Sequence, residues 1–487
     1  MHSTPGSKQR NKLNITVISL VIFICLCTSV FVVNVGVIAP VLVIAISCLI
    51  AMQISFIKEP TMAIWMLVFY VFTFGILGRE VGGFPYGTLQ EGILLLGWLT
   101  VIFTADRYEW KNLNNDFVWL LTVWLIVSIL QLGNPAGASP QGWLQEIRAA
   151  ALYPFLVVPL AFLLLKKNQD LNTFLYLIIG LSLLASFNGL KQQYIGLSPG
   201  EQRFLDEGGA NTHLIWGKLR VFSFYSDAGQ FGASQAHIAL IALILALGPF
   251  KWWKRGLLLI ASMIMIYGML ISGTRGALFA LIIGLMLALV LSKKFKVMIV
   301  GGMVALAFIG FLKYTSIGDG NYQILRLRSA LDPKEASLNV RLENQKILRT
   351  YLASRPFGGG LGVIGVWGEV YNKDKFLSTV QPDSYWVKVW AMYGIVGFIL
   401  WFCIMMYILG KCCGIVWKTE DKVLRIKTMA LTSGYAGILF CSYANEVINT
   451  APSSFVVYIS WVLVFISPKI EEELRNQQKN SLTQKLL

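Results

Sequence analysis

Pro356-Phe-Gly-Gly-Gly-Leu-Gly362 and Gln381-Pro-Asp-Ser-Tyr385 lie in a long break of an otherwise apolar sequence. The break runs from about residue 314 to residue 385 and also contains an amphipathic pattern that carries arginines. Apolar runs of about 17 to 22 residues, long enough to cross a membrane, recur on both sides of it. A connection of this length with so much local pattern is more often functional than a simple linker. We therefore expect an all-α, polytopic membrane bundle with a long, partly helical external loop that holds a site.

The composition is that of a membrane protein. The 487 residues are 56% hydrophobic and only 14% charged, and the mean hydropathy is +0.64, which excludes an ordinary soluble domain. The formal net charge of +16 could suggest nucleic-acid binding. However, Lys and Arg cluster in short tracts beside apolar runs, as they do in cytoplasmic loops. We therefore expect no nucleic-acid partner. The seven cysteines have no spacing suited to a metal or to a disulfide framework.

The apolar runs predict about fourteen membrane helices, with twelve as the alternative if the tight pairs 13–57 and 256–292 are miscounted. The predicted spans are residues 13–33, 36–57, 61–78, 88–104, 117–132, 149–165, 171–190, 231–249, 256–272, 276–292, 297–313, 386–409, 428–447 and 455–467. The basic tracts place both termini in the cytoplasm. The predicted organisation is N-terminal helices (1–190), a first external loop (191–230), helices (231–313), the large external loop (314–385), C-terminal helices (386–467) and a cytoplasmic tail (468–487).

Arg275 lies in Ile271-Ser-Gly-Thr-Arg-Gly-Ala277, at the predicted outer corner of a helix hairpin. An arginine at this depth either reaches lipid headgroups or points into the bundle and binds an anion. We expect Gly273 and Gly276 to leave backbone N–H groups and open space beside the guanidinium, which favours a phosphate ligand.

The large loop is predicted to contain a helix. Asp332-Pro333-Lys334-Glu335 has the pattern of a helix start, and Pro356 with Gly358 that of a helix end. The spacing places Arg341, Gln345 and Arg349 on one face. It also places four leucines on an apolar face, namely Leu338, Leu342, Leu348 and Leu352. Such a helix could rest on the bilayer surface with a solvated basic side, or Arg341 could contact the same anion as Arg275.

Asp383 is the candidate general base. It could instead cap the helix that begins near Tyr385, because aspartate is common at both caps and turns; beside two arginines it could accept a proton. Other polar residues on the predicted outer side are candidates for binding substrate, although each could also be a contact between helices. These residues are Arg148, Arg220, His237 and Tyr385, together with Gln345 and Arg349 of the loop helix.

The order of these motifs resembles the O-antigen ligase and O-antigen polymerase superfamily. The matching elements are Arg220 to Gly232, Ser272-Gly-Thr-Arg-Gly-Ala277, Arg341 in a helix that leads to Arg355-Pro-Phe-Gly-Gly-Gly-Leu-Gly362, and Asp383-Ser-Tyr-Trp followed by Met392-Tyr-Gly-Ile-Val-Gly-Phe398. The resemblance covers residues 220–410, and the remaining helices match only in hydropathy.

The resemblance implies a metal-independent glycosyltransferase in the plasma membrane of a bacterium, with a GT-C-like helical bundle and no cofactor. The donor would be an oligosaccharide on undecaprenyl diphosphate, used at the outer face. Arg275 and Arg341 would hold the diphosphate and stabilise the charge that develops on it. Candidate partners are membrane lipids and the flippase and chain-length regulator of the same pathway.

One position departs from the family pattern. Ligases of this family carry a His-Asn pair where this chain has Pro382-Asp383, and the histidine is proposed as the base. The histidines of this chain are His2, His213 and His237. Either Asp383 takes the role of base, or catalysis depends on positioning and leaving-group stabilisation. The departure favours a polysaccharide polymerase over a ligase. A flippase or transporter is the alternative from another class, and would be expected to gather polar groups at the bilayer midplane.

Overall fold

The computed structural model describes residues 38–82, 86–318, 320, 322–329, 331–332 and 336–486. The described chain is helical apart from turns and a two-stranded antiparallel hairpin of β1 (Leu214–Ile215) and β2 (Lys218–Leu219). The all-α prediction is therefore confirmed. The predicted helix 13–33 and the predicted helix-start residues Pro333, Lys334 and Glu335 lie outside the described residues.

The long helices follow one another with short connections through most of the chain. They are α1 (Ile38–Lys58), α2 (Met62–Val81), α3 (Tyr86–Phe103), α4 (Asp116–Leu130), α5 (Pro140–Ile147) continued through a π-turn (Arg148–Leu152) into α6 (Tyr153–Leu164), α7 (Asn168–Tyr194), α10 (Ala228–Ala246), α11 (Trp252–Ile271), α12 (Arg275–Leu291), α13 (Phe295–Tyr314), α17 (Tyr385–Lys418), α18 (Lys422–Cys441) and α19 (Ser453–Leu486). Each predicted span from residue 36 onward corresponds to one of these helices.

Short helices occupy the two long connections. They are α8 (Pro199–Phe204), a π-turn (Leu205–Gly209) and α9 (Ala210–His213) in the first connection, and α14 (Tyr322–Ser329), α15 (Ala336–Leu352), α16 (Val366–Tyr371) and a 3-10 turn (Phe376–Thr379) in the second. Further 3-10 turns are Ala105–Arg107, Trp110–Leu113 and Gln131–Gly133. The predicted loop helix is thus present as α15.

Within the described residues, nine helices are long and apolar enough to cross a membrane by length and composition. Three shorter apolar stretches, Ile44–Lys58, Arg275–Leu291 and Met298–Tyr314, fall below that length. In α18, charged residues at Lys422, Arg425 and Lys427 dilute the apolar character. The chain is an integral membrane protein.

Three helices differ most in extent from the prediction, and the first of them, α17, continues to Lys418 rather than ending near residue 409. Helix α18 begins at Lys422 rather than near residue 428, because the side chain of Asp421 caps it by accepting the N–H of Leu424 at 2.7 Å. Helix α19 continues through Pro468, so no break separates a tail at that residue. Proline has no N–H to donate within the helix, and the hydroxyl of Ser467 donates to the carbonyl oxygen of Val464 at 2.7 Å instead.

Helix α10 is the centre of the bundle and packs against α7, α11, α12 and α18. Small residues let the surrounding helices approach closely. A Cβ built on Gly437 of α18 would lie 2.5 Å from the carbonyl oxygen of Ala280 in α12. At Gly284 of α12 the corresponding distance to the carbonyl oxygen of Ser433 is 2.6 Å. The close α12–α18 contact brings the start of α12 next to the end of α18.

The glycine-rich turn docks into a break in α17. Gly394 interrupts this helix with φ 68° and ψ −171°, a backbone region that favours glycine. The N–H of Gly359 donates to the carbonyl oxygen of Ala391 at 2.9 Å. A Cβ built on Gly394 would lie 2.1 Å from the carbonyl oxygen of Pro356, so only glycine permits this approach. The docked turn anchors the end of the large loop to the helix that follows it.

Candidate functional site

The turn between α18 and α19, residues 442–450, joins the helix starts that carry the predicted site residues. We call it the rim turn. The N–H of Tyr385 donates to the carbonyl oxygen of Ser442 at 3.0 Å, which fixes the start of α17. Gly276, in the first turn of α12, packs against Asn445: a Cβ at Gly276 would lie 2.1 Å from its Nδ2. The starts of α12 and α17 therefore meet at one end of the bundle.

Asp383 and Arg341 form an ion pair at this end. Arg341 Nε lies 3.6 Å from Asp383 Oδ2, and the two side chains are 27% and 47% exposed. The pair is thus open to the surroundings and available to another molecule. Asp383 has φ 43°, a left-handed conformation that is uncommon for residues other than glycine and that Asp and Asn tolerate best.

Ser384, not Asp383, caps α17. The Ser384 Oγ accepts the N–H of Val387 at 3.3 Å and also donates to the carbonyl oxygen of Ser442 at 3.4 Å. The alternative in which Asp383 caps this helix is therefore wrong. The Asp383 carboxylate is left with Arg341 as its ion-pair partner.

Arginines surround the turn that precedes α12. Arg220 Nε donates to the carbonyl oxygen of Ser272 at 3.1 Å, and its Nη2 to Thr274 Oγ1 at 3.4 Å. Arg326 Nη2 donates to the carbonyl oxygen of Gly273 at 3.2 Å. Arg275 follows directly as the first residue of α12. We call Arg220, Arg275 and Arg326 the arginine cluster.

The arginine cluster has the electrostatics of an anion site. Burial lowers the pKa of the Arg220 guanidinium, and the positive charge of Arg326 lowers it further, while Asp227 acts in the opposite direction. Arg326 is itself buried, with 8% exposure. Because like charges close together destabilise one another, an anion bound between them would be stabilised.

The space beside the two glycines is filled rather than open. Asn445 occupies the side of Gly276, and a Cβ on Gly273 would meet Arg220 Cγ at 3.6 Å. The prediction that these glycines leave open space for a phosphate is therefore wrong, because neighbouring side chains already fill the space where a Cβ would lie. Their small size instead allows Arg220 and the rim turn to pack against the start of α12.

A buried ionic cluster supports the start of α17. Lys388 Nζ lies 3.1 Å from Glu146 Oε2 and 3.0 Å from Glu446 Oε2. Lys388 and Glu146 have side chains that are 9% and 2% exposed, whereas Glu446 in the rim turn is 28% exposed. Removing one partner of such a cluster leaves a buried charge uncompensated. The cluster links α5, α17 and the rim turn, one turn below Asp383.

The remaining predicted residues lie in different surroundings. Arg148 is engaged within the protein: it pairs with Glu91 and donates to Gln145 Oε1 at 2.8 Å. Gln345 is half-buried and Arg349 exposed, on the same helix as Arg341. Gln345 lies one helical turn after Arg341 on α15, while Arg148 belongs to a contact between α3 and the π-turn.

His237 and Tyr385 are buried in the bundle. His237 is 1% exposed, and a Cβ on Gly434 would lie 2.7 Å from its Nε2. Tyr385 is 3% exposed and packs edge-on against Trp401 with ring centroids 5.7 Å apart. Neither side chain lies at the surface with the Arg341–Asp383 pair.

The apolar face of α15 differs by one position from the prediction. Leu348 and Leu352 are buried, but Leu342 is 43% exposed. Arg341 and Leu348 are seven residues apart and so share a face, whereas Leu342 is rotated by about 100° from it. The side chain of Leu338 lies outside the described part. The buried face of α15 therefore carries Arg341 towards Asp383.

Within the described part of the chain, no group of three or more His, Cys, Asp or Glu residues is arranged to hold a metal ion. Metal independence stays a prediction.

Two comparisons with known proteins match this chain. A family model described as O-antigen ligase matches residues 260–402, a range that contains Arg275, Arg341 and Asp383. A curated protein from Salmonella muenchen, named O-antigen polymerase, is 25% identical over 334 residues. That match covers 65% of this chain and 80% of the relative.

Proposed function

Since this chain belongs to the O-antigen ligase and polymerase superfamily, we propose that it is the polymerase of a bacterial surface polysaccharide. The polysaccharide would be an O-antigen, a capsule or an exopolysaccharide. The enzyme would transfer glycan repeat units from undecaprenyl diphosphate at the outer face of the plasma membrane. The observation that carries this proposal is that the rim turn joins the start of α12, which carries the arginine cluster, to the start of α17, which follows the Arg341–Asp383 pair.

The arginines at this end of the bundle suit the chemistry of the proposed donor. A polyprenyl diphosphate carries two phosphates at the membrane surface, an apolar tail in the bilayer and a glycan in water. Arg275 and Arg341 would hold the diphosphate through planar guanidinium groups, which bind phosphate in a bidentate manner. Arg220 and Arg326 add positive potential around Arg275. Arg349 and Gln345 on α15 remain candidates for contacts with the glycan.

The transfer step exchanges one bond at the anomeric carbon. The oxygen of the acceptor hydroxyl forms a bond to that carbon, and the bond from the carbon to the diphosphate oxygen breaks. The electron pair leaves with undecaprenyl diphosphate, whose charge the arginines stabilise. The hydroxyl proton passes to the Asp383 carboxylate, which is held beside Arg341 at 3.6 Å.

Two features support a polymerase over a ligase. The residues at the position of the ligase histidine are Pro382 and Asp383, and the curated relative is named O-antigen polymerase. The ligase is the second candidate, because the matching family model is described as O-antigen ligase. A transporter would gather charged residues near the bilayer midplane. Here, Arg275 begins α12, and Arg220, Arg326 and Arg341 belong to the two long connections between the long helices.

Deleting the protein tests the proposal and separates the two candidates. For a polymerase, we expect the long surface glycan to disappear while single repeat units accumulate on undecaprenyl diphosphate. The measurement is extraction of lipid-linked glycans followed by mass spectrometry, with gel analysis of surface glycan. A ligase would give the opposite pattern, because full-length polymer would accumulate on undecaprenyl diphosphate.

The proposed orientation predicts the result of reporter fusions. Because basic tracts remain in the cytoplasm, a reporter fused after Gly318 or Asn372 should be outside, and one fused after Lys422 should be inside. Paired alkaline phosphatase and green fluorescent protein fusions measure this. Cytoplasmic placement of Asn372 would contradict an outward-facing site.

A further inference from the structure

A groove between α7 and α11 lies at the end of the bundle opposite the rim turn. It has a volume of about 680 Å³ and is lined mainly by apolar side chains, with Lys254 and Lys427 among them. Tyr176 and Leu257 in its walls are 70% and 59% exposed. In a membrane-spanning bundle such side chains face lipid. The groove is therefore open to the acyl chains of the bilayer.

The length of the groove matches one leaflet. Its lining runs from Asn172 to Phe187 on α7 and from Trp253 to Ile264 on α11. At about 1.5 Å per residue these stretches measure roughly 17 to 22 Å. The hydrocarbon core of a bilayer is about 30 Å thick, so the groove is long enough for the chain of a lipid in a single leaflet.

Lys427 supplies a buried positive charge at one end of the groove. It is 6% exposed, and its Nζ donates to the amide oxygen of Asn168 at 3.1 Å, which is a neutral partner. The carboxylate of Asp421, six residues earlier, attracts this charge from a distance, while its Oδ1 accepts the N–H of Leu424. A buried ammonium without a directly paired anion is costly. A phosphate beside it would remove that cost.

Lys254 adds a second positive charge at the same end. Its Nζ lies 5.3 Å from the ring centroid of Trp253, so the side chain lies along the wall of the groove. Both lysines are near the starts of their helices, whereas Arg275 follows the far end of α11. The groove and the arginine cluster are therefore separated by the length of that helix, about 30 Å for its 20 residues.

We propose that this groove binds one anionic membrane phospholipid, with its phosphate between Lys254 and Lys427 and an acyl chain along α7 and α11. Pockets with basic residues between membrane helices are suited to such headgroups. The separation from the arginine cluster makes this lipid distinct from the donor. With the orientation proposed above, the lipid would come from the cytoplasmic leaflet.

Native mass spectrometry of the full-length chain tests the assignment. The chain is extracted from vesicles that contain equal amounts of phosphatidylglycerol and phosphatidylcholine, and the retained lipids are counted. We expect about a fivefold preference for phosphatidylglycerol for each lysine that contacts the phosphate. Lys254→Gln should reduce that preference, and the Lys254→Gln/Lys427→Gln double variant should abolish it. Lys254 alone suffices for the test if the buried Lys427 cannot be replaced without loss of folding.

Lys418→Gln is the matched control, because Lys418 is exposed at the end of α17 on the same side of the bundle. It should keep the preference of the unchanged protein. The proposal would be overturned if the unchanged protein retained the two lipids equally. It would also be overturned if Lys418→Gln lost the preference for phosphatidylglycerol as strongly as Lys254→Gln. Loss of glycan synthesis in Lys254→Gln at an unchanged protein level in the membrane, with accumulation of the lipid-linked repeat unit, would assign the groove to the donor and would also overturn the proposal.

Discussion

Replacing Arg275 by lysine is expected to lower the rate of glycan polymerisation about 100-fold, although the charge is kept. Arg275 begins α12 beside Arg220 and Arg326. Its planar guanidinium would contact two phosphate oxygens at once, and an ammonium cannot reproduce that geometry. The measurement is the initial rate of polymer formation in membrane vesicles supplied with the lipid-linked repeat unit.

Arg255→Lys is the matched control for Arg275→Lys. Arg255 lies near the start of α11, at the opposite end of the same hairpin, where its Nε donates to the carbonyl oxygen of Ala246 at 2.9 Å. The same substitution there should leave the rate nearly unchanged. If Arg275→Lys also polymerised at the rate of the unchanged protein, Arg275 would face lipid headgroups and would not hold the diphosphate.

Asp383→Asn is expected to stop polymer synthesis while the lipid-linked repeat unit accumulates. Loss of a general base typically costs about 100- to 10,000-fold in rate. Asparagine has the same shape and also tolerates the left-handed conformation that Asp383 adopts at φ 43°. Because Ser384 caps α17, the substitution should not unfold the helix start. The readouts are polymer length, the amount of lipid-linked intermediate and the protein level in the membrane.

Asp374→Asn is the matched control for this substitution. Asp374 lies in the same loop, and its side chain is 77% exposed. It should support normal polymer synthesis. An active Asp383→Asn variant would remove the general-base role, and the arginines would then carry the chemistry by positioning the donor and stabilising the leaving diphosphate.

The helices were predictable because apolar runs of membrane length are strong signals. The runs at 256–272 and 276–292 predicted the α11–α12 hairpin to within one residue at three of its four helix ends, and α11 begins four residues earlier, at Trp252. The break in α17 at Gly394 was not predicted. It depends on a docked turn from a distant part of the chain, in which Gly359 bonds to Ala391, and a local apolar pattern contains no information on such a contact.

Parts of the site were predictable for a similar reason. The motif order placed Arg341 and Asp383 in one region, and the structure places them 3.6 Å apart. Lys388 was missed, although a lysine four residues into a membrane helix is an unusual signal that could have indicated its carboxylate partners. Arg326 lies in the short helix α14 of the large loop, which was not predicted, and only the tertiary structure shows that it contacts Gly273.

The most direct test of the central claim is the reaction of the purified chain with a synthetic donor. The full-length protein is placed in lipid vesicles and supplied only with undecaprenyl-diphosphate-linked repeat units of the host glycan. We expect a ladder of lipid-linked products that differ by one repeat unit, with release of undecaprenyl diphosphate. Arg275→Lys should form this ladder about 100-fold more slowly, and Asp383→Asn should form none. If the correctly folded, unchanged protein left the single repeat unit unextended, the proposal that this chain is a polymerase would be contradicted.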